Sequence, residues 1–128
     1  MGLTHISYLS KLQIMNLNKL TKNAALAEAF LKAIANRHRL LILCELHKGE
    51  RSVTDLLELL NLSQSSLSQH LARLRKDQIV KTRREAQTIF YSLSDSSVTL
   101  IISTLYDIFC AEGARPMRKK TPERTPRP

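Results

Sequence analysis

A chain of 128 residues, 43% of them hydrophobic, holds one domain with its own core and leaves little for a second. Twenty Lys and Arg against eleven Asp and Glu give a formal charge of +9, which suits a partner rich in phosphates. No apolar run reaches bilayer length, and the first residues lack a secretion signal's charged start, apolar run and small-residue cleavage site. A membrane location is therefore not expected, and the cytoplasm is.

Residues 1–22 carry Leu3, Ile6, Leu9, Leu12, Ile14 and Leu17 near the helical period, but with Gly2 and no strong cap, which predicts a poorly ordered or partner-dependent segment. From Ala24 the pattern firms, with Leu26, Ala29, Phe30, Ala33 and Ile34 on one face of a helix ending near Asn36. A second helix spans RHRLLILCELHKGE, with Leu40, Leu43, Cys44 and His47 on one stripe and Gly49 as its stop. Ser52, with Asp55 three residues on, caps a short third helix bearing Leu56, Leu59 and Leu60. Ser63 caps a fourth, QSSLSQHLARLRKD, whose apolar face is Leu67, Leu71 and Leu74.

After Ile79 the spacing becomes alternating. Val80, Thr82 and Arg84 run out, and Ile89, Tyr91 and Leu93 return across a turn at Glu85, Ala86 and Gln87, which predicts a β-hairpin. A last helix from Asp95 to about Ala111 is more apolar than one buried face requires, and Gly113 ends it. All four prolines and a net charge of +5 fall in residues 115–128, so residues 114–128 read as a disordered basic tail. The folded domain is thus 23–113: mostly α with a β-hairpin wing, the order of a winged helix-turn-helix.

With its leucines inward, the fourth helix leaves Gln64, Ser65, Ser68, Gln69 and Arg73 outward. Amides suit adenine edges, hydroxyls serve as donor or acceptor, and Arg reaches guanine or phosphate, so these residues fit the major groove of double-stranded DNA. His70 has two readings, a DNA contact or a neutral imidazole at the edge of the core. The hairpin adds Lys81, Arg83 and Arg84 as phosphate contacts, and residues 63–91 carry six basic and two acidic side chains.

The segments LKAIANRHRLLILCEL, LSQSSLSQHLARLRKDQIVKTRRE and TIFYSL closely resemble the ArsR family of winged-helix repressors over about residues 26–110. The resemblance implies a homodimer joined through its first and last helices. Each protomer would offer its fourth helix to one half of an inverted repeat. Family metal patterns do not transfer: Ser52, Val53, Thr54 and Asp55 stand where a Cys-Val-Cys-type pair is expected, and no His follows His70 to join Asp95 and Asp107. No metal or other cofactor is expected.

Cys44 and Cys110 remain. On their own they read as two core thiols. Through the resemblance they match the dithiol members named as biofilm-growth-associated and sulfide-responsive repressors, which implies release of DNA when reactive sulfur species or oxidants link the pair. His47 and Lys48 lie where they would favour a Cys44 thiolate, and Cys110 lies at a helix C-terminus that disfavours one, so Cys44 is expected to react first. The rival within transcription is a thiophilic metal held by the same cysteines with His5, His38 or His47. A thiol enzyme using Cys44 and His47 lacks an orienting group and a substrate loop, and is not expected. A general DNA-packaging protein suits the basic tail but not the Ser- and Gln-rich helix. The wing turn carries Ala86 where glycine is common, which strains it if a positive φ is needed.

Overall fold

A computed structural model describes residues 2–110, with side chains described from Asn16 onward. The chain divides after Asn36 into two compact units. The first is one helix, α1 (Gly2–Ile34). The segments that the sequence separates at residue 22 are continuous, because nothing between Leu3 and Ile34 is Pro or Gly and so no breaker interrupts the backbone ladder. Of the expected apolar face, Ala33 and Ile34 are buried but Leu26 is more than half exposed, as are Leu17, Leu20 and Leu31 elsewhere on the helix.

The second unit contains α2 (Arg37–His47), β1 (Arg51–Ser52), α3 (Val53–Leu59), α4 (Gln64–Lys76), β2 (Val80–Glu85), β3 (Thr88–Leu93) and α5 (Ser96–Phe109). This is a helix-turn-helix followed by a hairpin wing and a closing helix. The core draws Ile42, Leu43 and Leu46 from α2, Leu56 from α3, Leu67, Leu71 and Leu74 from α4, and Val98 and Ile102 from α5. On α2 the buried stripe is shifted from the expected one: Ile42 and Leu46 join Leu43, and Leu41 is exposed. The reason is that α2 packs against α5, α4 and β3 together, which rotates its buried face.

Helix starts follow their caps. Ser52 Oγ accepts the Asp55 N–H at 3.1 Å and the Asp55 carboxylate accepts the Ser52 N–H at 2.9 Å, a closed capping box. Those bonds hold the Asp55 carboxyl below the usual carboxylate range. Ser63 caps α4 through the Ser66 N–H, and Asp95 caps α5 through the Val98 N–H. At its other end α4 closes with Gln78 N–H to Arg75 C=O and Ile79 N–H to Leu74 C=O, with Gln78 left-handed at φ 59. This is a Schellman turn made without glycine, and buried Leu74 and Ile79 are its apolar pair.

The sheet is antiparallel in the order β1-β3-β2. Its third strand is absent from the sequence reading because two residues, Arg51 and Ser52, cannot show alternation. They pair with Tyr91 and Phe90. In the wing Glu85 pairs with Thr88, leaving Ala86 and Gln87 as the turn, and Ala86 has φ 58 with Gln87 not positive. That sign pattern is the one in which glycine is favoured at the first central position. Ala86→Gly is therefore expected to stabilise the fold by up to about 1 kcal/mol, relief of left-handed strain outweighing glycine's greater unfolded-state entropy. Thermal unfolding checks this, and a lower Tm would show that the turn carries no strain.

The last helix stops at Phe109, two residues before the expected Ala111, with the Cys110 N–H bonded to the Tyr106 carbonyl at 2.8 Å. Gly113 and the tail at 114–128 lie outside the described residues. Among those described, no helix is long and apolar enough to cross a membrane.

Candidate nucleic-acid interface and cysteine pair

Because Leu67, Leu71 and Leu74 point into the core, α4 turns Gln64, Ser65, Ser68 and Gln69 to the surface, all exposed. Arg73 is exposed too, but its Nε donates to Asp77 at 2.7 Å. His70 is half-buried, its ring 5.7 Å from that of His38. Burial, then the charges of Arg39 and His38, push the His70 pKa below the ordinary histidine value, so the ring is neutral near pH 7. Of its two readings, packing at the core edge fits this placement.

The three basic wing residues are not equivalent. Along β2 the side chains alternate, placing Val80, Thr82 and Arg84 on one face with Leu93, Tyr91 and Ile89 opposite them, and Lys81, Arg83 and Glu85 on the other. Arg83 makes a two-pronged ion pair with Glu50, Nε to Oε2 at 3.0 Å and Nη2 to Oε1 at 2.8 Å, and lies 3.6 Å from Glu85. Its guanidinium also covers the Phe90 ring at 4.8 Å. The Arg83 partnership holds the Glu50 carboxyl below its usual range. Lys81 and Arg84 are exposed and form no ion pair among the described residues. Glu50 had no signal in the sequence, because its partner lies 33 residues away.

Between α4 and β3 runs a groove of about 540 Å³, lined by Val53, Ser68, Leu71, Ala72, Arg75, Lys76 and Tyr91. Of these, Ser68 is among the residues the sequence assigns to the major groove, and Arg75 and Lys76 belong to the basic end of α4.

The two cysteines come together: Cys44 Sγ on α2 lies 4.0 Å from Cys110 Sγ at the cap of α5. Cys44 is half-buried and Cys110 exposed. Burial first, then the charge and hydrogen bond of Cys110 and the charge of Glu45, push the Cys44 thiol up to about 11, against a smaller opposing effect of Lys48. This corrects the expectation of a favoured Cys44 thiolate. The His47 ring packs 5.2 Å from that of Tyr106, and the Lys48 ammonium is held by Glu45 at 3.1 Å. Among the described residues no three of His, Cys, Asp and Glu gather as a metal site.

Residues 36–82 match the family described as bacterial regulatory protein, arsR family. The chain is 53% identical over 96 residues to the transcriptional activator HlyU of Vibrio cholerae serotype O1, covering 75% of this chain and 89% of that protein. It is 44% identical over 90 residues to the biofilm growth-associated repressor of Agrobacterium fabrum, covering 70% and 77%. The solved structure of reduced HlyU from Vibrio cholerae N16961 matches with a TM-score of 0.69 at 52% identity, over 73% of this chain and 98% of that one. On its sequence, its helix-turn-helix and its hairpin wing, the chain belongs to the ArsR family of bacterial regulatory proteins, the winged-helix transcriptional regulators.

Proposed function

We propose that the protein is a cytoplasmic repressor that binds an inverted-repeat operator as a homodimer and releases it when Cys44 and Cys110 become linked. Gln64, Ser65, Ser68 and Gln69 read base edges, while Lys81 and Arg84 are the wing residues with charge to spare for phosphates. Dimerisation is supported by exposed apolar side chains on each helix taken alone: Leu17, Leu20, Leu26 and Leu31 on α1, and Leu100, Ile101 and Phe109 on α5. Relatives are named both activator and repressor, and the sign follows from where the operator lies. Bound across a promoter, the dimer excludes polymerase.

The observation that carries the switch is the 4.0 Å separation of the two sulfurs, across elements far apart in sequence. The exposed Cys110 thiolate attacks the outer sulfur of a low-molecular-weight persulfide, giving a Cys110 persulfide and releasing the donor thiol. The Cys44 thiolate then attacks the inner sulfur, forming the disulfide and expelling hydrosulfide. Two thiols and one persulfide thus become one disulfide, one thiol and one hydrogen sulfide. Closing from 4.0 Å to an S–S bond of about 2.05 Å ties the cap of α5 covalently to α2, and that tie constrains α5 as a dimer helix.

Intact mass after glutathione persulfide, beside a gel shift on the DNA upstream of the gene, tests this. Loss of two hydrogens, or gain of whole sulfur atoms, should accompany loss of the shifted band. Cys44→Ser and Cys110→Ser should keep the band under the same treatment. Normal release in both variants removes the switch. Tight stoichiometric binding of Zn(II), Cd(II) or As(III) to reduced protein, with loss of DNA affinity, would replace it by the metal reading.

A further inference from the structure

The groove between α4 and β3 brings together side chains that the rest of the fold leaves unengaged. Its polar lining residues are Ser68, Arg75, Lys76 and Tyr91, and no Asp or Glu lines it. None of these four makes a side-chain hydrogen bond or ion pair among the described residues. The contrast with their neighbours is specific: Arg73 is tied to Asp77 and Arg83 to Glu50, yet Arg75 and Lys76, adjacent in the last turn of α4 just before Asp77, stay unpaired among the described residues. Val53, Leu71 and Ala72 form the rest of the lining, and the short Ala72 side chain leaves room above it.

The geometry points to a phosphate subsite in this groove, in which one backbone phosphate of duplex DNA is held by Arg75, Lys76 and the Tyr91 hydroxyl. The inference rests on the DNA-binding reading above and adds to the basic end of α4 the Tyr91 hydroxyl and a single shared groove. Arg75 and Lys76 also lie in the last turn of α4, where cations complement the helix dipole. That role occupies none of their N–H donors. Tyr91 is fixed from both sides, paired to Arg51 of β1 and Thr82 of β2, so its position is set by the sheet's centre. Arg84 lies on the same face of the sheet as Tyr91 and continues the positive track outward, whereas Arg83 lies on the opposite face under Glu50. Two cations and a hydroxyl offer charge-assisted donors to phosphate oxygens, and nothing in the set matches a base edge, so the contact is independent of sequence.

The test is the salt dependence of binding to a random-sequence duplex and to the DNA upstream of the gene. Arg75→Gln and Lys76→Gln should weaken binding to both alike. Across the pair they should lower the slope of log affinity against log salt by on the order of 0.9 per protomer, the worth of one phosphate contact, and so by about 1.8 for the bound dimer. Tyr91→Phe should weaken both with the slope unchanged, since a hydroxyl releases no counterion. Arg83→Gln, the internal control, should leave the slope within error of wild type. A wild-type slope in both Arg75→Gln and Lys76→Gln, with binding intact, overturns the subsite while sparing the DNA-binding reading. Failure of the wild-type protein to bind either duplex overturns both.

Discussion

Leu71→Ala is expected to cost about 3 kcal/mol of folding free energy. Leu71 is 2% exposed at the middle of the α4 apolar face, between Leu67 and Leu74, which are fully buried. Truncation removes its burial and leaves a cavity. On a stability of about 5–15 kcal/mol this is a large fraction, and the midpoint of thermal unfolding should fall by more than about 10 °C. Urea denaturation at one fixed protein concentration measures it, because the stability of the proposed dimer would depend on concentration. The comparison is Leu59→Ala on α3, which is 52% exposed and should change stability by less than about 0.5 kcal/mol. A Leu71→Ala loss under about 1 kcal/mol would mean that α4 is not anchored as described.

The second large effect is on thiol reactivity. A Cys44 pKa of about 11 leaves roughly one thiol in ten thousand ionised at pH 7, against a few per cent for a free cysteine near 8.5. Iodoacetamide should therefore label Cys110 well before Cys44, the reverse of the order expected from the sequence. The sign follows from the charged form being the thiolate: whatever disfavours it demands a more alkaline pH. Cys44 labelling should climb about tenfold per pH unit from 7 to near 10. In Cys110→Ser the part of the shift due to its neighbour's charge and hydrogen bond disappears while burial remains, so Cys44 should label faster. A Cys44 rate that levels off below pH 9 would contradict the buried, hydrogen-bonded thiol.

For the proposed switch this makes Cys110 the thiol that meets the sulfur donor and Cys44 the one that closes the link. The donor is captured at an exposed helix cap, and the second step waits for a half-buried thiol to lose its proton.

Local signals carried much of the architecture. Ser52 with Asp55, Ser63 and Asp95 each state a helix start through one hydrogen bond within three residues, and all three are where the sequence puts them. The Leu67, Leu71, Leu74 spacing orients α4, and with it the exposed Gln and Ser surface. The sequence placed the wing turn at Glu85, Ala86 and Gln87 and made strain at Ala86 conditional on a positive φ; the pairing of Glu85 with Thr88 shortens the turn to two residues and gives Ala86 that φ.

Features settled within one turn of helix or one hairpin are thus written locally in the chain: caps, apolar periods, the wing, and the outward face of α4. The partners of the charges and thiols come from long-range packing instead. Arg83 meets Glu50, Cys44 meets Cys110 from 66 residues away, and Arg75, Lys76 and Tyr91 converge on one groove. Such pairings depend on which faces α2, α4 and the sheet present to one another. A residue's charge and burial energy are set by those neighbours, so no periodicity along the chain encodes them.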